Sequence, residues 1–185
     1  LCAFVESTPT EEHLKAEANI LMRGLYSHSE GIRVMALAPG GIQKFVYPLK
    51  GNEKVVGHDI LHDKRPHVQK AIKRALKTKK IIINGPYTLR QGGLALVLRK
   101  AIFADNQFWG LAAMVIDIPP ILQESGFMVK KNSIQLALKN NNENVFWGDK
   151  DIFKKNPLIQ KISLLDGYWE LAGIPVGGLH SFIDQ

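Results

Sequence analysis

The chain has 185 residues, of which 45% are hydrophobic, and it carries a formal net charge of +7. This length and hydrophobic content suffice for one large core or two smaller ones, and the sequence contains neither repeats nor low-complexity segments. No run of about 18 apolar residues occurs, so the segment predicts no membrane span, and the single cysteine, Cys2, excludes an intrachain disulfide and a cysteine-based metal site.

The positive charge is concentrated in one segment, Lys64 to Lys80. Its apolar residues recur at helical spacing and leave the lysines and arginines on the opposite, solvated face. These apolar residues are Val68, Ile72, Ala75 and Leu76. A solvated basic face of a helix accounts for the charge, so the sequence predicts no nucleic-acid partner.

The first predicted element is a helix that runs from about Thr8 to Ser29. Pro9 at the first helical position and Glu11 at the third are typical of a capped helix start, and Gly31 predicts the end of the helix. A narrow apolar stripe follows at spacings of four, three and four: Leu14, Ala18, Leu21 and Leu25. Such a stripe is typical of a helix that docks on a sheet or pairs with a second protomer, and both an amphipathic core helix and a signalling stalk remain open.

Strand patterns come next, in two groups separated by the basic helix. They lie at residues 33–38 and 42–47 around the turn Pro39-Gly40-Gly41, from residue 81 onward, and at 94–104 and 108–118 around Asp105-Asn106. Two strands, one helix and then three strands in antiparallel succession predict an α+β domain with one central antiparallel sheet, residues 31–118.

The remaining residues, 119–185, repeat this organisation on a smaller scale. After the break at Pro119-Pro120, we predict a short helix at 121–125 and strands at 133–139 and 144–147. We further predict a helical stretch at 157–162 and a last strand at 168–172. The fold class is therefore α+β: a long N-terminal helix, residues 1–30, followed by two antiparallel-sheet domains.

The segment Gly57 to His67 contains three histidines and two aspartates. If it were helical, His58 and His62 would share a face, as a metal site needs. Gly57 and Pro66 instead favour a loop that leads into a helix, and no third ligand can be identified. Hydrolase and nucleotide-binding motifs are absent. The sequence thus predicts no metal, no cofactor and no catalytic residue, and a metal-dependent or stand-alone enzyme or binding domain built on the 58–67 loop is the alternative hypothesis.

The strand at 94–104 carries a cation in an unusual setting. Alternation places Ala95, Val97, Arg99 and Ala101 on one face of the strand and the bulkier leucines on the other. Small residues beside one guanidinium can border a cavity for a carboxylate or phosphate. Arg99 could equally pair with an internal acid or extend to solvent at the strand end.

Several motifs occur in a characteristic order between Tyr47 and Leu122. They are Tyr47-Pro48, Gly51-Asn52, Gly57-His58-Asp59-Ile60, the segment 84–93, Ala101-Ile102-Phe103, Phe108-Trp109-Gly110 and Ile116-Asp117. Their order and spacing resemble the CHASE domain, a family of extracytoplasmic sensors of membrane receptors in bacteria and plants.

This resemblance implies a long N-terminal stalk helix that leaves the membrane, a membrane-distal PAS-like ligand-binding domain (31–118) and a smaller membrane-proximal PAS-like domain (119–185). It further implies a periplasmic segment of an inner-membrane receptor that is a homodimer in its full-length form. The output domain, a histidine kinase or a cyclic-di-GMP cyclase or phosphodiesterase, would lie outside this chain. The sequence begins at Leu1 without an initiator Met, and we interpret it as a segment of a larger protein.

The resemblance also implies a ligand site on the Arg99 face of the sheet. The expected ligand-binding residues are Tyr47, Tyr87, Leu89, Arg90, Gln91 and Arg99, with the loop 87–93 closing one side. The expected ligand is a small acid, such as a carboxylate or an amino acid. Plant members that bind cytokinins carry a carboxylate where this chain has Arg65-Pro66-His67-Val68, so we expect no cytokinin.

Overall fold

The computed structural model of the chain describes residues 2–3, 11–89, 92–128 and 133–176. The chain divides into two compact units, Leu1–Pro120 and Ile121–Gln185. Within the described ranges it forms three α-helices and two antiparallel sheets, which confirms the predicted α+β class. No helix in these ranges has the length and apolar character needed to cross a membrane.

The first unit is built on a five-stranded antiparallel sheet in the order β2-β1-β5-β4-β3. Its strands are β1 (Ile32–Pro39), β2 (Phe45–Tyr47), β3 (Ile82–Thr88), β4 (Leu94–Ala104) and β5 (Gln107–Asp117). The predicted hairpin between β4 and β5 turns at Asp105 and Asn106, whose φ angles of 49° and 62° are left-handed. Asp and Asn tolerate this conformation better than other residues with side chains, which explains why the turn could be located from sequence.

Helix α1 (Glu11–Ser27) covers one face of this sheet. Leu14, Ala18 and Met22 are buried against a cluster that includes Met35 and Leu37 of β1. Residues four apart stay on nearly the same face of a helix, so Met22 rather than Leu21 continues the packed stripe. The predicted stripe is thus corrected in its second half, since Leu25 is 40% exposed. The predicted helix start at Thr8 lies outside the described residues.

Helix α2 (Pro66–Thr78) packs on the opposite face of the sheet. Its buried residues are Val68, Ala71, Ile72 and Ala75, and they share a cluster with Ala101 of β4 and Leu111 of β5. Pro66 occupies the first turn, where its missing amide costs nothing. A loop with a short 3-10 turn, Glu53–Val55, connects β2 to α2, and its Val55 and Ile60 contact the same face of the sheet.

Helix α3 (Ile118–Glu124) follows β5 directly. It begins earlier than predicted because Pro119 and Pro120 fit the first helical turn, which needs no amide donors.

The second unit contains a four-stranded antiparallel sheet in the order β7-β6-β9-β8. The strands are β6 (Ile134–Asn140), β7 (Val145–Gly148), β8 (Leu158–Ser163) and β9 (Tyr168–Pro175). A 3-10 turn, Lys150–Lys154, buries Ile152 against Ala137 and Ala172.

The predicted helical stretch at 157–162 is wrong, because these residues enter strand β8. Among the described residues this strand lies at the edge of the sheet and pairs with β9 alone, and it is exposed along most of its length. Because so little of the strand is buried, its apolar residues carry no alternating pattern. Leu158, Ile159 and Ile162 instead show a spacing that resembles a helix.

Candidate functional site

A cavity of about 210 Å³ lies in the first unit, between the sheet and the loop that connects β2 to α2. Its floor on the sheet consists of Val34, Ala36, Val97, Arg99, Ala113 and Val115. Tyr87 and Leu89 form one wall. The connection between β1 and β2 supplies Gln43, and the loop supplies Lys54, Val55, His58, Ile60, Asp63 and Arg65. The cavity is therefore enclosed on one side by regular structure and on the other by a long connection.

The strand register explains why there is room on this face. Arg99 of β4 lies opposite Ala113 of β5, and Ala113 lies opposite Ala36 of β1. Ala113 next to Arg99 and Ala36 on the following strand leave space that larger side chains would fill. In the next row Val97 faces Val115, so the floor away from Arg99 is apolar.

Arg99 is the main polar group of the floor. It is only 5% exposed. Its Nη2 donates one long hydrogen bond, 3.4 Å, to the hydroxyl of Tyr87. The Nε and Nη1 atoms are buried and have no hydrogen-bond partner within the described residues. Because an unpaired buried guanidinium is unfavourable, this arrangement suits an anion that enters the cavity and accepts these two bonds.

Asp63 lies on the loop side of the cavity and is 3% exposed. Its Oδ1 accepts hydrogen bonds from the backbone N and the Nε of Arg65, both at 2.9 Å. Its Oδ2 accepts from Arg65 Nη2 at 2.6 Å and lies 2.9 Å from His58 Nε2. Arg65 holds the pKa of Asp63 far below its usual range, and Asp63 in turn raises the pKa of Arg65. The carboxylate is therefore ionised and fully engaged.

His67, in the first turn of α2, packs against the ring of Tyr87 with a centroid distance of 4.7 Å. Desolvation lowers the pKa of His67, and the positive charges of Arg65 and Arg99 lower it further. Burial and the two neighbouring cations therefore both favour the neutral form of His67.

Three of the six residues predicted from sequence as ligand-binding line the cavity: Tyr87, Leu89 and Arg99. Tyr47 does not. Strand alternation turns Val46 toward the cavity side, while Tyr47 packs under α1 with its ring 5.6 Å from that of Tyr26. Arg90 and Gln91 lie outside the described residues.

The histidines of the 58–67 loop do not converge. His58 contacts Asp63, His62 contacts Asp59 at 2.8 Å, and His67 packs against Tyr87. Among the residues that the structure describes, no group of three or more His, Cys, Asp and Glu side chains is placed to hold a metal ion.

Sequence reasoning missed most of the loop side of the cavity, namely Gln43, Lys54, Asp63 and Arg65. The only signal was the Asp63-Lys64-Arg65 spacing, which places two opposite charges just before a proline-started helix. The Asp63 side chain accepts a hydrogen bond from the Arg65 backbone N, but its main partner is the Arg65 guanidinium.

Comparisons with known proteins give one family and several similar folds. The family model described as "CHASE domain" matches residues 4–145. The ligand-binding domain of Mlp24, solved with asparagine, has a TM-score of 0.67 at 14% identity, with 100% of this chain and 83% of that chain covered. The ligand-binding domain of the Pseudomonas aeruginosa PAO1 amino acid chemoreceptor PctB, in complex with L-Arg, has a TM-score of 0.64 at 12% identity, with 100% and 85% covered.

An extracellular ligand-binding receptor from Desulfohalobium retbaense DSM5692 has a TM-score of 0.65 at 14% identity. The alignment covers 84% of this chain but only 32% of that receptor, so this chain spans about a third of its length. At these identities the likeness is one of fold. The sequence has no significant match among curated proteins.

Proposed function

Because this chain belongs to the CHASE domain family, we propose that it is the extracytoplasmic ligand-sensing segment of a membrane receptor and binds a small acidic molecule in the Arg99 cavity. The observation that carries the proposal is Arg99 itself, a buried guanidinium with two unpartnered nitrogen atoms that border a cavity. The amino acids in the structures of Mlp24 and PctB support a ligand that contains a carboxylate.

The sheet provides a short path from this cavity to helix α1. Val34 and Ala36 of β1 border the cavity, while Met35 and Leu37 of the same strand pack under α1. A ligand that displaces β1 therefore acts on α1 through a single layer of backbone. By binding one arrangement of the sheet more tightly than another, the ligand shifts the population of α1 positions.

We further propose how this segment is arranged within the receptor, where it is located and how it assembles. The N-terminal helix acts as a stalk (residues 1–30), and two PAS-like domains follow, a membrane-distal one and a smaller membrane-proximal one. The segment is periplasmic, is tethered to the inner membrane and dimerises in the full-length protein. It is not itself an enzyme, and the catalytic output domain lies elsewhere in the receptor. Ile20, 64% exposed on α1, offers an apolar contact for a second protomer.

A thermal-shift screen of small acids tests the proposal on the wild type and two variants. Arg99→Met removes the guanidinium while keeping the length of the side chain. Lys100→Ala removes the neighbouring cation, which alternation directs to the other face of β4. We expect at least one acid to raise the melting temperature of the wild type and of Lys100→Ala but not of Arg99→Met. A response that persists unchanged in Arg99→Met would contradict the proposal.

A further inference from the structure

More of the charged side chains that line the cavity are positive than negative. Arg99, Arg65 and Lys54 are cationic, and Asp63 is the one carboxylate among the described lining residues. A ligand in the cavity therefore lies in a positive field, and any cationic group that it carries needs a nearby acceptor to compensate for that field.

Asp63 has no acceptor capacity left. An ionised carboxylate offers about four lone-pair sites. Here Oδ1 accepts from the Arg65 backbone N and Nε, and Oδ2 is bonded to Arg65 Nη2 and His58 Nε2. Since an ionised carboxylate can only accept, His58 donates this fourth bond. A ligand ammonium could reach Asp63 only by breaking part of a buried ion pair, which is strongly unfavourable.

The other polar groups on the lining are poor substitutes. The Tyr87 hydroxyl and the Gln43 side chain are neutral, and Tyr87 already lies next to Arg99. A neutral oxygen can accept a hydrogen bond from an ammonium group but does not offset a full positive charge placed beside a guanidinium.

The rest of the floor is apolar, and the space is small. Val34, Val97 and Val115 lie beside Arg99, and each is less than 10% exposed. The volume of about 210 Å³ is below the roughly 300–1,000 Å³ of clefts that hold drug-sized ligands. The cavity thus provides one buried guanidinium with unpartnered nitrogen atoms next to a short apolar compartment.

From these observations we infer that the cavity selects a monocarboxylate with a short apolar body and no amino group over the corresponding amino acid. The inference rests on the proposed function, because it takes the Arg99 cavity as the ligand site, and it narrows the ligand class. The carboxylate accepts bonds from Nε and Nη1 of Arg99, and the aliphatic part lies on the valines of β1, β4 and β5. Discrimination comes from the absence, among the described lining residues, of a free carboxylate that could offset the charge of an ammonium group.

Matched pairs that differ in the amino group test this inference on the purified chain. The probes are propionate with L-alanine, isovalerate with L-valine, and isocaproate with L-leucine, measured by isothermal titration calorimetry and by thermal shift. We expect at least one acid to bind ten or more times more tightly than its amino acid partner. At a hundred times its Kd this acid should raise the melting temperature by roughly 5–10 °C. Isovaleramide, which has the same shape as isovalerate without the charge, should bind at least ten times more weakly.

The Arg99→Met variant separates failure of this inference from failure of the proposed function. If the amino acids bind as tightly as the acids, or more tightly, and this binding is lost in Arg99→Met, the inference is wrong and the proposed function stands. If no probe binds the wild type, or if binding persists in Arg99→Met, both are wrong. Equal binding of isovalerate and isovaleramide would likewise overturn the inference, because the charge would then not be recognised.

Discussion

Asp63 and Arg65 form a bidentate ion pair on the loop side of the cavity, with Nε 2.9 Å from Oδ1 and Nη2 2.6 Å from Oδ2. The pair stands immediately before Pro66, the first residue of α2. Gln69 of α2 donates two further bonds, to the carbonyl groups of Leu61 and Asp63. The end of the loop is thus held together by the ion pair and is joined to the helix by the Gln69 side chain.

Replacing Asp63 by Asn should destabilise the first unit. The amide would place an NH₂ group against donors of Arg65 or His58 and would leave the Arg65 charge without its partner. We expect a loss of roughly 2–4 kcal/mol in the free energy of unfolding, near the lower end of the cost of breaking a buried pair because Arg65 remains partly exposed. Urea denaturation measures it.

Asp105→Asn is the matched control, since it makes the same chemical change at an exposed turn. Asp105 has a φ of 49°, which Asn tolerates, so the free energy of unfolding should change by less than about 0.5 kcal/mol. Equal effects of the two substitutions would show that the Asp63 pair contributes nothing specific.

The Asp63 pair should also make the unit sensitive to acid. The pKa of Asp63 in the folded protein lies below its unfolded value of about 3.9. The stabilisation is therefore complete above that unfolded value and is lost progressively as the pH falls below it. Melting temperatures of the wild type and of Asp63→Asn, measured from pH 7 to pH 2.5, should differ most above about pH 5 and converge toward the acid end. A constant difference across this range would contradict the assignment.

Strand alternation was sufficient to place Arg99 on the same face of β4 as Val97 and Ala95, because every second residue of a strand points to the same face. Both faces of β4 are buried, so its register is fixed. Alternation could not place the loop residues. The path of residues 48–65 follows from contacts with the sheet and α2 rather than from periodicity. Lys54 therefore carried no signal of its position, and Arg65 carried only that of two opposite charges before a proline.

Two further differences concern strand residues. For Tyr47 the aromatic side chain suggested a ligand wall, but the pleat of β2 turns Val46 toward the cavity side instead. For β8 the edge position removed the alternating burial by which a strand is recognised, so its sequence favoured a helix.

Two glycines of the first unit should respond in opposite directions to alanine. In β5, a Cβ on Gly110 would lie 2.3 Å from the backbone oxygen of Ala38 on the paired strand β1. Backbone cannot move aside as a flexible side chain can, so Gly110→Ala should cost roughly 1–3 kcal/mol or more.

Gly24 lies in α1 with nothing within 4 Å of the added carbon. Gly24→Ala should stabilise the protein by about 0.5–1 kcal/mol. Urea denaturation of both variants measures these changes, and a neutral Gly110→Ala would show that β1 and β5 are less closely paired than described.

The two arginines of the cavity should differ in what they contribute to the empty protein. Arg65 is paired with Asp63, whereas two nitrogen atoms of Arg99 have no partner within the described residues. Arg65→Met therefore leaves a buried carboxylate with only His58 and the backbone N of residue 65 as partners, and should cost roughly 2–4 kcal/mol. Arg99→Met removes an unsatisfied charge and adds apolar contact with Val97 and Ala113, so the free energy of unfolding without ligand should be unchanged or higher by up to about 3 kcal/mol.

Urea denaturation in a buffer without carboxylates measures both variants, because a buffer acid bound to Arg99 would stabilise the wild type. An Arg99→Met variant as unstable as Arg65→Met would mean that Arg99 is already paired within the protein. It would then be a structural residue, and the cavity would lose the group on which ligand binding depends.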